Sequence, residues 1–132
     1  MNISFPKKRM RRNRMTEFSR DLVRENILSI QDLIYPMFII EGTNKKIPID
    51  SMPGIFKFSA DLILHEAEKV YELGIRAVAI FPNIDLSKKD KHGSEAINPD
   101  NLVCRTVMLL KENFPNLGII CDVALDPYTT HG

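Results

Sequence analysis

The sequence IYPMFII occupies residues 34–40 and contains neither a charged side chain nor an alternation of polar with apolar positions. Such a run is typical of a β-strand covered on both faces, as the strands of parallel sheets are. Pro36 has no N–H to donate, so this strand is expected to begin late or to lie at a sheet edge. Two more apolar stretches, 77–81 (AVAIF) and 117–123 (LGIICDV), follow at intervals of roughly 40 residues, a spacing that leaves room for a crossover helix. We therefore predict three buried strands.

Two amphipathic segments separate these strands. Ser59 predicts the N-cap of a helix over 60–73, and Gly74 its C-terminal stop. Its apolar face comprises Ile63, Ala67 and Val70. Asn98 and Pro99 predict the N-cap and the first position of a second helix, which Pro115 ends. The apolar face expected for that helix comprises Val103, Val107, Leu110 and Phe114.

Alternation of strands and helices predicts an α/β fold with a parallel sheet. A (β/α)8 barrel needs at least about 200 residues, and this chain has 132. We expect residues 31–132 to form the first βαβαβ portion of such a TIM barrel, incomplete and with about three strands. Residues 1–30 are expected to form a basic arm with a short helix over 16–26, where Phe18, Leu22 and Val23 can share one face.

Charge is distributed unevenly along the chain. Six of the 18 lysine and arginine residues lie in the first 14 positions, with no acidic residue, whereas the remainder carries 12 basic and 17 acidic residues. Three interpretations of this arm remain open: a solvated terminus, contact with the acidic body of a neighbouring subunit, or nucleic-acid binding. No aromatic residue is interleaved with the basic ones, which disfavours the last.

Composition excludes several classes of protein. With 44% hydrophobic and 27% charged residues the chain is neither disordered nor fibrous. No apolar run approaches the roughly 20 residues of a membrane-spanning helix, and no secretory signal follows the basic arm. Cys104 and Cys121 lack metal-like spacing. We therefore expect a cytoplasmic protein with reduced thiols and no membrane partner.

Reactive groups in α/β folds of this order gather at the C-terminal ends of strands. Three loops qualify, 41–51, 82–97 and 122–132, and the last is the richest candidate, because in an extended chain Asp122, Ala124 and Asp126 point to one side. In a poorly hydrated site Asp122 needs a cation, a hydrogen-bond donor or a substrate ammonium. Asp122 as a structural acceptor and Asp126 as a turn cap remain open alternatives. His131 is a candidate ligand or general base, or a plain loop residue.

The lysines at 88, 89 and 91 form a charge run in the loop over 82–97. A lysine that forms a Schiff base must be partly neutral near pH 7, which requires burial or a neighbouring cation. We expect these three lysines to be well hydrated and therefore unsuited to imine formation. The loop itself is either a mobile cover for an active site or a solvated connection.

Taken together, these motifs resemble the N-terminal portion of the delta-aminolevulinic acid dehydratase (porphobilinogen synthase) family. The matching stretches occur in family order over nearly the whole chain. They are 9–12 (RMRR), 32–42 (DLIYPMFIIEG), 51–54 (SMPG), 77–82 (AVAIFP), 93–96 (GSEA), 98–100 (NPD) and 122–132 (DVALDPYTTHG). Departures are Ile97, where many relatives have an aromatic residue, and Asn101, where many have glycine.

The resemblance implies a TIM barrel whose N-terminal arm, here with Arg9, Arg11 and Arg12, wraps a neighbouring subunit, usually in a homo-octamer. It implies a lyase that condenses two 5-aminolevulinate molecules to porphobilinogen, with loss of two waters, in haem and tetrapyrrole biosynthesis. Family members hold the substrate as imines on two lysines of later strands, beyond Gly132. Residues 1–132 alone are therefore expected to be inactive. The alternatives are a truncated, non-catalytic assembly subunit and, less favoured, a nucleic-acid binder.

Individual roles also follow from the resemblance. Asp122 matches an active-site aspartate that serves the substrate amine or proton transfers, and Asp126, Thr130 and His131 lie on the active-site loop. Zinc-dependent members carry cysteines where this chain has Ala124 and Asp126. A hard carboxylate suits magnesium or a monovalent cation better than a thiolate zinc centre. Zinc is therefore not expected here, and Asp126 is the one candidate metal ligand.

Overall fold

The computed structural model describes residues 4–9 and 11–132; Met10 and residues 1–3 of the expected arm lie outside them. The described residues contain a five-stranded sheet in the order β2-β3-β1-β4-β5. The strands are β1 (Ile34–Ile40), β2 (Lys46–Pro48), β3 (Phe56–Ser59), β4 (Ala77–Asn83) and β5 (Gly118–Cys121). The helices are α1 (Glu17–Leu22), α2 (Ala60–Glu72) and α3 (Leu102–Asn113).

Strands β1, β4 and β5 form where they were predicted and pair in parallel. Their predicted burial on both faces is wrong for the described residues, because β5 contains no buried residue and Ile34 and Ile120 are 53% and 46% exposed. β1 and β4 pair over their whole length, from Ile34 opposite Ala77 to Ile40 opposite Asn83. The expectation for Pro36 is wrong, because β1 starts before it and lies in the centre of the sheet. The proline is tolerated where pairing with β3 is absent, since that pairing begins only at Phe38.

Two strands were not predicted: β2 lies within the loop expected over 41–51, and β3 lies between that loop and α2. β3 runs parallel to β1, and β2 runs antiparallel to β3. Both are short, and their lysines obscure the apolar pattern. The Lys46 ammonium lies 4.2 Å from the centre of the Phe56 ring, so this side chain covers an aromatic face while its charge remains accessible to water.

Helices α2 and α3 lie on the sheet and enclose the core with it. Met37 and Ile39 of β1 and Val78 and Ile80 of β4 are buried. The predicted face of α2 is confirmed, because its buried residues are Ile63, Ala67 and Val70. Burial of these apolar side chains stabilises the folded chain by about 25 cal/mol for each Å² of apolar surface removed from water. This is the main favourable term in forming the layer.

The start of α3 differs from the prediction. Its N-cap is Asn101, whose side chain accepts a hydrogen bond from the Cys104 N–H at 2.9 Å, and not Asn98. Asn98 instead closes the turn before the helix by accepting from the Asp100 N–H at 3.0 Å. Of the predicted apolar face, Leu110 is buried, and Val103 and Phe114 are partly buried against the core. The fully buried face differs from the predicted one. It comprises Leu102, Thr106 and Leu110.

Helix α1 is shorter than predicted and ends at Leu22. Phe18 and Leu22 share a face as expected, but they are 68% and 80% exposed. No helix within residues 4–9 and 11–132 combines the length and the hydropathy needed to cross a membrane.

Candidate functional site

Four charged side chains meet beyond the carboxyl ends of β1 and β4. Glu41 directly follows β1, and its two carboxylate oxygens accept from Lys88 Nζ at 2.6 Å and from an Arg105 guanidinium nitrogen at 2.8 Å. Lys88 also donates to Glu95 at 3.4 Å. Because Lys88 and Glu95 lie in the loop after β4 and Arg105 lies on α3, this charged cluster fastens the loop to the end of β1.

The cluster favours the ionised forms of Glu41 and Lys88. Burial alone would raise the pKa of Glu41, but the hydrogen bonds and positive charges of Lys88 and Arg105 outweigh it and lower that pKa. The hydrogen bond from Lys88 to Glu41 raises the pKa of Lys88. Lys88 is therefore half-buried and paired, and the expectation that it is freely hydrated is wrong. Its unsuitability for imine formation stands on stronger grounds, since an imine forms from a neutral amine.

Asp90 shapes the next part of the same loop. Its Oδ1 accepts from the His92 N–H at 2.7 Å and from the Ser94 N–H at 3.1 Å. The turn passes through Gly93 at φ +66°, a conformation that favours glycine. Hydrogen bonds from the side chain and the N–H of Ser94, and from the N–H of His92, lower the pKa of Asp90 to about 2.

A backbone bridge joins this loop to the loop after β5. The Asp90 N–H donates to the Tyr128 carbonyl at 3.3 Å, and the Thr130 N–H donates to the Asp90 carbonyl at 3.1 Å. Tyr128 is only 6% exposed and belongs to the core. The segment that carries the predicted active-site residues is thus held by a buried anchor and by the neighbouring loop.

The predicted geometry of Asp122 and Asp126 is wrong in one respect. Asp122 follows β5 in extended chain, but Leu125 turns into helical backbone, and Asp126 begins a 3-10 turn, Asp126–Tyr128. The period-two alignment therefore ends before Asp126. The Asp126 carbonyl accepts from the Thr129 N–H at 3.3 Å, as a turn residue does.

The exposure of the predicted residues also differs from the expected poorly hydrated site. Asp122 and Asp126 are both exposed, and so are Thr130 and His131 at the end of the same loop. Arg9, Arg11 and Arg12 of the arm are exposed as well. The Arg9 guanidinium lies over the Phe5 ring at 5.5 Å.

The donor atoms near Asp126 limit what this loop can hold. The Ala124 side chain offers no ligand atom. Asp126 offers carboxylate oxygens, which are hard donors and do not suit a thiolate zinc centre. Within residues 4–9 and 11–132, histidine, cysteine and acidic side chains do not converge in groups of three that could hold a metal ion. The described residues alone therefore do not form a metal centre.

The sequence placed the loops that contain Glu41 and Asp90 at these strand ends, but neither residue was singled out, and Arg105 was missed altogether. A usable signal existed for two of them. Glu41 is the first charge after a seven-residue apolar strand, and Asp90 stands three positions before Gly93, an arrangement typical of turns. For Arg105 there was none, because its partner lies 64 residues away in the chain.

Comparison with known proteins supplies the remaining observation. The family model for delta-aminolevulinic acid dehydratase matches residues 7–132. A delta-aminolevulinic acid dehydratase of Bradyrhizobium diazoefficiens is 52% identical over 124 residues, and one of Chlamydia pneumoniae is 49% identical over 125. The chain spans 35% and 38% of the length of these two relatives.

A solved structure is similar throughout the described fold. The Toxoplasma gondii delta-aminolevulinic acid dehydratase (porphobilinogen synthase), in complex with the reaction product porphobilinogen, has a TM-score of 0.83 and 41% sequence identity. The match covers 93% of this chain and 35% of that one. The α/β fold described above therefore corresponds to part of a TIM barrel, as predicted.

Proposed function

Because the chain belongs to the delta-aminolevulinic acid dehydratase family, we propose that the complete protein condenses two 5-aminolevulinate molecules to porphobilinogen. Two waters are lost in this lyase reaction of haem and tetrapyrrole biosynthesis. The observation that carries the proposal is the family match over residues 7–132. The similar Toxoplasma gondii structure, which holds the product porphobilinogen, supports the same substrate.

Asp122 is the residue of this chain that we propose to act in the chemistry. Its carboxylate directly follows β5, at the strand end where α/β enzymes place reactive groups. There it would accept a hydrogen bond from the substrate ammonium or take part in proton transfer. Asp126, Thr130 and His131 lie on the same loop and are proposed to line the substrate site.

Imine formation is proposed to use lysines other than those of the charged loop. Lys88 is held as an ammonium by Glu41 and Glu95, which supports assigning the Schiff bases to lysines of later strands, as the family resemblance does. For the metal we propose magnesium or a monovalent cation, since Asp126 provides a hard ligand and Ala124 provides none.

We propose a cytoplasmic homo-oligomer, an octamer by resemblance, without nucleic-acid or membrane partners. The basic arm and the acidic remainder of the chain have opposite charges, which supports contact between subunits. The exposed Arg9, Arg11 and Arg12 are the arm residues proposed to make it.

The test is an assay for porphobilinogen with the complete protein, with Asp122→Asn and with Asp85→Asn. Asp85 is an exposed aspartate whose carboxylate only closes a turn, with Ser87 N–H at 2.9 Å, so it is the matched control. We expect turnover by the wild type and the control, and a loss of at least about 100-fold in Asp122→Asn, as for removal of a general acid or base. Isolated residues 1–132 are expected to be inactive. Absence of product from the complete protein would refute the proposed activity.

A non-catalytic assembly subunit is the second candidate, favoured by the exposed apolar face of α1 beside the basic arm. It predicts that the chain associates with family members without contributing turnover. Sedimentation of the chain with and without residues 1–15 distinguishes an assembly formed through the arm from a free monomer. A monomer in both cases excludes this role.

A further inference from the structure

Two aspartates close turns in the loop after β4, and among the described residues only the turn closed by Asp90 bonds the loop after β5. Asp85 bonds Ser87 and nothing beyond its own turn. Asp90 bonds His92 and Ser94 with its side chain, while its backbone bridges to Tyr128 and Thr130. The Asp90 carboxylate thus stabilises the backbone that makes the bridge.

The turn after Asp90 also packs closely on the loop after β5. A β-carbon placed on Gly93 would lie 3.4 Å from Thr129 Cγ2 and 3.7 Å from both Leu125 Cδ2 and Tyr128 Cβ. These are ordinary van der Waals distances, so the space between Gly93 and this loop would be filled by one methyl group. A shift of the turn by more than that space would be transmitted to residues 125–129.

The loop is also held from its other side. Lys88, two residues before Asp90, is fastened to Glu41 at the end of β1, and Glu95, one residue after Ser94, bonds the same ammonium. The Asp90 turn is therefore a fixed support between the end of β1 and the loop after β5.

We propose that Asp90 is a positioning residue: through its turn and its backbone bridge it fixes the loop that carries Asp122 and Asp126. The catalytic consequence rests on the proposed function, whereas the structural consequence does not. Asp90 itself touches no reacting atom in this scheme.

The structural test is amide hydrogen exchange in the complete protein, read at Thr130, whose N–H bonds Asp90 directly. In Asp90→Ala we expect exchange at Thr130 to accelerate about tenfold, the effect of losing charge-assisted hydrogen bonds from a local unit. Asp90→Asn keeps an acceptor oxygen and is expected to restore most of the protection. Asp85→Ala, the matched control, is expected to leave Thr130 unchanged.

Core amides distinguish a local effect from general unfolding. Exchange at Val78 and Ile80 of β4 should be the same in all variants. Unchanged exchange at Thr130 in Asp90→Ala, or equal acceleration in Asp85→Ala, overturns the proposal.

The catalytic test uses the same variants in the porphobilinogen assay. Asp90→Ala should lower kcat about tenfold through misplacement of Asp122, Asp90→Asn should recover most of it, and Asp85→Ala should equal the wild type. An unaltered kcat in Asp90→Ala overturns the positioning role. If the wild type forms no porphobilinogen, the proposed function is refuted. The structural role of Asp90 is then still decided by hydrogen exchange at Thr130.

Discussion

Helices α1 and α2 carry the same apolar spacing and have opposite surroundings. In α2, Ile63 and Ala67 lie four residues apart and are fully buried against the sheet. In α1, Phe18 and Leu22 have the same spacing and are largely exposed. Periodicity therefore defines a helix face, but that face is covered by residues distant in sequence, in this case those of β1, β3 and α3. The N-terminal segment (residues 11–33) and the body (residues 34–132) differ in this covering, and four experiments test the difference.

The largest effect should come from the buried helix. Ile63→Ala removes a fully buried side chain and should lower the free energy of unfolding by about 3 kcal/mol, through lost transfer energy and a residual cavity. Leu22→Ala, the matched change on α1, should cost less than about 0.5 kcal/mol. Urea unfolding measures both; equal losses would remove the distinction between the two helices.

A buried hydroxyl gives the second comparison. Ser59 is buried, and its Oγ accepts from the Lys45 N–H at 2.9 Å. Ser59→Ala leaves that N–H unpaired and should cost about 1–2 kcal/mol. Ser19 on α1 is half-buried, and its hydroxyl bonds the exposed Thr16. Ser19→Ala should cost under about 0.5 kcal/mol, because water can replace these contacts. If Ser59→Ala were as stable as the wild type within error, the predicted cost of losing the Ser59 hydroxyl would be contradicted.

The third experiment compares the effect of Glu41→Gln on stability at pH 7 and near pH 3. The pKa of Glu41 is lowered in the folded chain, so its contribution is present above its unfolded pKa near 4.5 and is lost as the pH falls through the lower folded value. At pH 7 Glu41→Gln should cost about 1 kcal/mol, a value reduced by the partial exposure of its partners. Near pH 3 the difference from the wild type should shrink. Urea unfolding at both pH values measures it, and a constant difference would contradict the stated sign.

The smallest effect on the isolated chain should come from Phe18→Ser. Because Phe18 is 68% exposed, the free energy of unfolding should change by less than about 0.5 kcal/mol. If another subunit covers this face, the same variant should lower the assembly size in sedimentation while Glu17→Ser, on the same helix, does not. A stability loss comparable to that of Ile63→Ala would mean that α1 is part of the body.

Apolar runs predicted β1, β4 and β5 as strands but did not predict their burial. β1 and β4 each contain buried residues, whereas β5 has none. β2 and β3 were not predicted, because Lys46 and Lys57 interrupt their short apolar stretches. Asn98 was preferred to Asn101 because Pro99 follows it, although the competing turn used Asn98 for its own closure. The cap geometry depends on backbone that local patterns do not specify.

The candidate site was less predictable than the fold. The loop after β5 was identified correctly as lying at a strand end, but Leu125 broke the expected alignment of Asp122 with Asp126. The charged cluster joins residues 47 and 64 positions apart, beyond the reach of any local motif. The catalytic role of Asp122 stays a prediction.

The pairing of Lys88 has a consequence for covalent chemistry at the protein surface. Acylating reagents and aldehydes react with unprotonated amines, and the two carboxylates around Lys88 keep its nitrogen charged. The amine that holds the loop in place is therefore a poor nucleophile toward such reagents.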